Sequence, residues 1–360
     1  MGEGESGKTT LANKLQNPNY QLKNEDTTRG IEVIQWYFPL SNGQQFRVNI
    51  WDFGGQEIYH TTHQFFLSKR ALYLLVADNR KEDTDFYYWL NVVQLLSENS
   101  PLLIISNEKG DRPKQIPESD LRKNFNNLKE ILPTNLQTNR GLQEILKVVP
   151  LSMMKLPHIG SPLPKTWIKI RKALENDQRN YISLDEYQRI CQTAGINQQD
   201  RQNFILEYLH DIGVCLHFKD NILLKKIVIL KPKWGTDAVY KVLDNQQIVR
   251  NFGKFSQREL ATIWGDEQYR NMQDELLQLM TKFKLCYEIP NQPNNYIAPQ
   301  LLSANPPQYA WNDAENLHFR YQYEFMPKGI ITRLIVEMNK FIEGQKNLWK
   351  TGVILKEGET

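Results

Sequence analysis

Cysteine is scarce in this sequence. The three present, Cys191, Cys215 and Cys286, stand far apart with no C-x-x-C spacing. A disulfide framework is therefore excluded as a source of stability, and a reducing compartment fits, so a cytoplasmic location is expected. Long apolar runs are also missing. None approaches the roughly 20 residues that span a bilayer, and no secretory n-region and h-region open the chain. Neither sign of charge dominates: the net charge of +3 argues neither for nor against nucleic acid. No leucine repeat of about 20–29 residues recurs. What remains is an ordinary globular composition, 40% hydrophobic and 24% charged, over 360 residues, which suffices for two or three cored domains.

What is present begins at the first residues. Gly2-Glu3-Gly4-Glu5-Ser6-Gly7-Lys8-Thr9 matches G-x-x-x-x-G-K-[ST] in full. Glycines there let backbone N–H groups close around phosphate oxygens that a side chain would obstruct. Gly2, Glu5, Ser6, Gly7 and Thr10 are the expected cradle, Lys8 brings a point charge to the β/γ-phosphates, and the Thr9 hydroxyl is placed for magnesium. Thr9–Leu15 reads as a helix whose positive dipole end faces the phosphates.

The strand and helix context of a phosphate loop follows. Ile31–Phe38 and Phe46–Trp51 read as strands joined at Ser41-Asn42-Gly43. Ala71–Ala77 and Leu102–Ser106 are short continuous apolar runs, as expected for strands buried on both faces, with a helix over Asp85–Leu96 between them. Val148–Ser152 reads as a further strand, and Thr166–Leu174 as a helix. Alternation of this kind predicts an α/β, doubly wound sheet with phosphate chemistry at the carboxyl ends of its strands.

Val48–His60, VNIWDFGGQEIYH, poses a choice. Asp52-Phe53-Gly54 are the letters that hold magnesium in protein kinases, but no H-R-D-x-x-x-x-N loop accompanies them, and protein kinases do not use a loop of the Gly2–Thr9 type. The same stretch fits D-x-x-G-Q of a Ras-like GTPase. In that reading Asp52 holds magnesium through a water, the Gly55 amide reaches a γ-phosphate and Gln56 orients the attacking water. Thr28, between the phosphate loop and Asp52, completes the magnesium set, which is then Thr9, Thr28 and Asp52. Arg29 beside it serves as an arginine finger in cis or is simply exposed. For the base, Asn107-Glu108-Lys109-Gly110-Asp111 resembles N-K-x-D with one residue inserted. Asn107 is well placed, while Asp111 either reaches guanine through a bulge at Gly110 or is a loop carboxylate. Ser152, in Pro150-Leu151-Ser152-Met153, resembles the last guanine loop.

After Asn176 this chemistry stops. Ser183-Leu184-Asp185-Glu186 and Ser256-Gln257-Arg258-Glu259 fit capping boxes. Phe204–Asp211 is followed by Gly213, a natural helix stop. Val214–Phe218 and Ile222–Leu224 flank Lys219-Asp220-Asn221 as a hairpin, and Pro232 begins a helix carrying Trp234, Val239, Tyr240 and Leu243. Helices followed by a hairpin suggest a winged-helix arrangement. The lysines here, Lys225, Lys226, Lys231 and Lys233, flank Ile227–Leu230 without forming a basic stripe, so nucleic-acid binding is not expected. Beyond Pro306-Pro307, Leu317, Phe319, Tyr321, Tyr323 and Phe325 alternate as in a half-buried strand. Met326–Met338 reads as a helix and Trp349–Leu355 as another strand.

Gly2–Thr9, Trp51–Glu57 and Leu206–Leu243 together resemble the Roco family, a Ras-like Roc GTPase domain joined to a COR domain. The resemblance implies a Roc domain over residues 1–176, an α+β first COR subdomain of winged-helix-like form over 177–307, and the start of a second over 308–360. It implies binding and slow hydrolysis of GTP, with GDP and Mg2+ as companions, a homodimer through COR, and leucine-rich repeats upstream in a longer parent chain. A non-catalytic nucleotide-binding scaffold and an adenine-specific P-loop ATPase stand as the rivals. One expectation concerns the chain ends: a P-loop follows a buried central strand. Only Met1 precedes Gly2, so the first strand of the sheet is read as missing, and the sheet begun at Trp349 as incomplete.

Overall fold

The apolar runs and turn residues fold as two units, Met1–Thr236 and Asp237–Thr360. The computed structural model describes residues 1–22, 28, 30–40, 42–55, 70–80, 84–97, 99–111, 113, 115–160, 162–309, 318–323, 325–326 and 329–356. Gln56 and Arg29 lie outside the described residues.

In the first unit, α1 (Lys8–Gln16) leads to an antiparallel pair, β1 (Ile31–Pro39) and β2 (Gln45–Phe53), in the register Ile31↔Phe53 to Pro39↔Gln45. The turn between them closes through Leu40 N to Gln44 O (2.7 Å) and Gly43 N to Leu40 O (3.0 Å). A second sheet is parallel, in the order β3 (Tyr73–Asp78), β4 (Leu102–Asn107), β5 (Leu128–Thr134). Every residue of β4 is buried, as the continuous apolar run requires of a strand covered on both faces. Helices α2 (Phe86–Leu96), capped by the Asp85 carboxylate, α3 (Glu118–Asn124) and α4 (Leu142–Met154) complete this α/β part. Leu11, Leu15, Val48, Val76, Leu103, Ile105, Ile145 and Val149 form its core.

Two expectations change here. Val148–Ser152 is helical, not a strand, because it continues the period that buries Leu142, Ile145 and Val149 on one face of α4. The last strand is β5, whose exposed Lys129, Glu130 and Pro133 hide it from a search for apolar runs.

The same unit continues through α5 (Lys165–Asn176), β6 (Tyr181–Ser183), α6 (Leu184–Thr193), α7 (Gln199–Asp211) and β7 (Ile227–Ile229). Both halves of the capping box at Ser183 form, and Gly213 follows α7 at φ 70°. The expected hairpin is corrected. Ile222 and Leu223 are turn, Leu224–Lys226 is a short 3-10 helix, and the strand that returns is β7, which pairs with β6 and touches Leu216 through Ile229. The uninterrupted apolar residues Ile227, Val228 and Ile229 fill the buried edge better than a segment broken by turn residues. Ile170, Tyr187, Cys191, Leu206, Cys215 and Val228 meet in a second core. α8 (Pro232–Leu243) carries the chain into the second unit.

The second unit has a three-stranded antiparallel sheet in the order β8 (Lys254–Ser256), β10 (Asn295–Ile297), β9 (Tyr287–Glu288). The capping box at Ser256 forms at α9 (Gln257–Ile263). Trp264 is fully buried with its indole N–H donating to Ala238 O at 2.9 Å. α10 (Ile330–Glu337) begins four residues after Met326, behind Gly329. The alternating segment is not a strand where described: residues 318–323 are irregular, with Phe319 and Tyr321 76% and 80% exposed. Trp349–Leu355 is instead a minimal hairpin, β11 (Leu348–Trp349) with β12 (Gly352–Val353). Among the described residues no helix is long and apolar enough to cross a membrane.

A candidate nucleotide site at the phosphate loop

The phosphate loop folds as its glycines and spacing demand. Gly7 takes φ 101° and opens α1 with no side-chain cap, which aims the first turn of the helix at the loop. Glu5 adopts φ 60° within the loop. Lys8 Nζ donates to Glu3 O at 2.7 Å, folding the side chain back over its own loop. Gly55, at the end of β2, approaches so closely that a Cβ there would lie 2.5 Å from Gly4 Cα and 2.5 Å from Lys8 Nζ. Thr10 sits in the first turn of α1.

The three expected metal ligands converge although they come from three segments. Thr9 Oγ1 donates to Asp52 Oδ2 at 2.6 Å, Thr28 Oγ1 donates to the same oxygen at 3.3 Å, and the two hydroxyls lie 2.9 Å apart. Asp52 is 4% exposed. Burial raises its pKa above the ordinary carboxylate value, against the opposing hydrogen bond from Thr9 and the charge of Lys8. A carboxylate and two hydroxyls form a hard oxygen set without histidine or thiolate, which suits Mg2+ and not a softer metal.

At the other end, Asn107 closes β4 and ties three loops together. Its Nδ2 donates to Ser6 O at 2.9 Å, and its Oδ1 accepts Leu136 N at 3.2 Å. The extra residue is absorbed by a short 3-10 turn, Lys109–Asp111, in which Gly110 takes φ 70°. Within that turn Lys109 is the residue that sequence reasoning missed. Its ammonium donates to Glu5 O at 3.0 Å and pairs with Asp78 at 3.1 Å, while its backbone exchanges two hydrogen bonds with the Asn79 side chain. Burial alone would raise Asp78, but hydrogen bonds from Arg80 and Lys109 outweigh it and hold the carboxyl below its usual range. The letters N-E-K-G-D carried this signal, since the lysine of an N-K-x-D pattern survives one place later. Glu108, the extra residue, pairs with Arg140 at 2.7 Å. The backbone of Asp111 ends the turn; its side chain lies outside what the structure describes. Ser152 is in the closing turns of α4 rather than in a loop after a strand. The loop that meets Asn107 is Asn135–Arg140, where Asn135 Oδ1 accepts Gln137 N and Thr138 N.

Behind the site, β2 reaches the α6–α7 part of the same unit. Trp51, the neighbour of Asp52, lies against Gly213, where a Cβ would meet the indole at 2.8 Å. Arg70 pairs with Asp211 at 3.7 Å, and its guanidinium lies 5.1 Å from the centre of the Tyr208 ring.

A phosphate loop at a helix N-terminus, an Asp-Thr-Thr oxygen cluster and an asparagine-anchored loop at the end of a buried parallel strand are the features of Ras-like P-loop GTPase domains. Comparisons agree. Residues 1–110 match the family model described as Roc, Ras of Complex. Residues 164–302 match the COR-A domain, C-terminal of Roc, and 314–360 the COR-B domain. The solved structure of Methanosarcina barkeri Roco2 RocCORdC bound to GDP is 32% identical, with a TM-score of 0.74 over 84% of this chain and 94% of that one. A protein of Runella zeae described as a Roc-COR-CHAT protease is 28% identical, and a probable serine/threonine-protein kinase of Dictyostelium discoideum, pats1, 25%. Both matches cover the whole of this chain, which spans 41% and 13% of those relatives. The chain belongs to the Roco family, with a Roc GTPase domain followed by COR modules.

Proposed function

We propose that this chain is a GTP-binding, slowly hydrolysing switch. In this reading a Roc domain over residues 1–176 is coupled to COR subdomains over 177–307 and 308–360, which form a homodimer. The observation that carries it is the convergence of Thr9, Thr28 and Asp52 on one oxygen cluster beside Lys8. Gly2, Glu5, Ser6 and Gly7 cradle the phosphates through their backbone, and Lys8 leaves Glu3 O to pair with β- and γ-phosphate oxygens. Thr9, Thr28 and Asp52 would hold Mg2+, which supplies neutralisation of the charge that develops on the phosphates. Gln56 positions the water and Arg29 adds charge at the transition state. Asn107 and Asp111 read guanine, and Ser152 takes no place in the base loop in this reading.

The coupling runs through β2. Asp52 and Trp51 are adjacent on one strand, so a shift of Asp52 on gaining or losing the γ-phosphate displaces the indole against Gly213. Arg70, which follows the Gln56 segment in sequence, supplies the second contact through Asp211 and Tyr208.

Calorimetry with GDP, GTP and ADP, followed by GTP turnover, tests this reading. Tight GDP binding with measurable turnover supports it. Preference for ADP would make the protein an ATPase, and binding without turnover a scaffold.

A further inference from the structure

One buried lysine of the first unit has no part in the steps described above. Lys14 stands in the last turn of α1 and is 2% exposed. The carboxyl end of a helix favours a cation, but among the described residues no carboxylate pairs with this one. Its ammonium donates instead to Tyr20 O at 2.9 Å and to Asn139 Oδ1 at 2.6 Å. Burial pulls its pKa below the ordinary lysine value, so those two oxygens take over the solvation of the charge.

The two oxygens belong to different parts of the site. Tyr20 lies on the stretch after α1 that leads in sequence to Thr28. Asn139 lies in the Asn135–Arg140 loop, which Asn135 N closes by donating to Arg140 O at 2.8 Å. Three residues of that loop reach outward: Leu136 N donates to Asn107 Oδ1, Arg140 pairs with Glu108, and Asn139 accepts from Lys14. The first two ties lead to the end of β4, and the third leads to the helix that opens at the phosphate loop. Asn139 is held in a left-handed turn at φ 65°, which asparagine tolerates, with its own carbonyl accepting Leu142 N at 3.2 Å.

We propose that Lys14 is a positioning residue that sets how long a guanine nucleotide is held, by locking the Asn135–Arg140 loop onto α1. This role rests on the nucleotide reading above and adds to it a control on release. A loop hinged only at β4 could swing away from α1 and open the Asn107 end of the site, whereas the tie to Lys14 opposes that motion. Lifting Asn139 would leave a buried ammonium short of an acceptor, which is costly. The same ammonium holds Tyr20 O, so one charge links the loop, the phosphate helix and the stretch leading to Thr28.

The test compares the parent chain with Lys14→Met, Asn139→Asp and the double variant. It reads amide exchange at Asn135–Thr138 without nucleotide, the release rate of GDP, and pyrophosphate affinity. Lys14→Met keeps the chain length and removes the donors, so loop exchange and GDP release should each quicken about tenfold, with pyrophosphate affinity kept within about twofold. Asn139→Asp gives the ammonium a carboxylate and should slow release about threefold, but not in the Lys14→Met background, a dependence that a general loss of packing would not produce. If Lys14→Met does not fold, Asn139→Ala removes the acceptor from an exposed turn and carries the same expectation. Unchanged GDP release overturns the proposal, and so does a pyrophosphate loss as large as the GDP loss, which would make Lys14 a general support of α1. A parent chain that binds no GDP overturns the nucleotide reading instead, and loop exchange then decides the tie by itself.

Discussion

The two ends of the nucleotide site are built on different principles. At the phosphate-loop end, backbone conformation shapes the site: Gly7 at φ 101°, Gly55 pressed against Gly4, and hydroxyls gathered on Asp52 within 3.3 Å. At the Asn107 end, the site is shaped by side chains tied mostly to backbone groups of neighbouring loops. Asn107 is held between Ser6 and Leu136, and Lys109 between Glu5 and Asp78. A backbone cradle tolerates no inserted residue, because each N–H must face an oxygen. A side-chain brace tolerates one, because Gly110 takes up the extra length and Arg140 pairs the extra carboxylate.

The largest expected effect falls on the phosphate end. Lys8→Ala removes a charge-assisted contact worth about 3 kcal/mol, so GDP affinity should fall roughly 100-fold or more by calorimetry. A loss under tenfold would mean that the cradle, not the lysine, dominates. Gln56→Leu should leave nucleotide affinity nearly unchanged while turnover falls on the order of 100-fold, because water positioning acts in the transition state. Equal turnover would remove Gln56 from catalysis.

At the base end, Asp111→Asn should weaken GDP by about 1–3 kcal/mol, roughly 5- to 150-fold, and admit xanthosine diphosphate. Unchanged affinity would leave Asn107 and backbone groups as the readers and make Asp111 a loop residue.

A pH titration separates the ends again. The folded-state pKa of Asp52 lies above its ordinary value of about 3.8, so the fold binds this proton more tightly than the unfolded chain does. Without metal, stability therefore declines as pH rises from 3.8 through the raised value. Metal binding needs the carboxylate, so Mg2+ affinity should drop up to tenfold for each pH unit below that value, with about one proton released per ion. Calorimetry in buffers of different ionisation enthalpy reads that proton. No release would mean that Asp52 is already ionised before metal arrives.

Legibility followed the same division. The loop Gly2–Thr9 and the meeting of Thr9, Thr28 and Asp52 are readable in letters, because the pattern fixes how those segments fold together. Asn107 is readable as a letter and Lys109 only as one displaced by a place, since its contacts form once the 3-10 turn sets its ammonium over Glu5 O. Val148–Ser152 misled because four or five apolar residues fit a buried strand and a helix face equally; only the longer window back to Leu142 decides. The 317–325 alternation misled differently. Period two says that one face can be buried, but at residues 318–323 the chain is irregular and exposed. Both capping boxes were legible since they are purely local.

The smallest effect tests the brace itself. Glu108 is buried, but its partner Arg140 is 52% exposed, so solvent screens the pair and its 2.7 Å geometry contributes only about 0.5–1 kcal/mol. Glu108→Gln keeps the side-chain shape and the Glu108 N to Thr134 O bond at 2.7 Å, and removes only the charge. The Asn135–Arg140 loop should loosen at one end while Leu136 still bonds Asn107. GDP affinity should then fall two- to fivefold, with pyrophosphate affinity unchanged because the pair braces the Asn107 end. A matching loss for pyrophosphate would show that the base end braces the phosphate end through Lys109 and Glu5. The two ends would then be one cooperative unit.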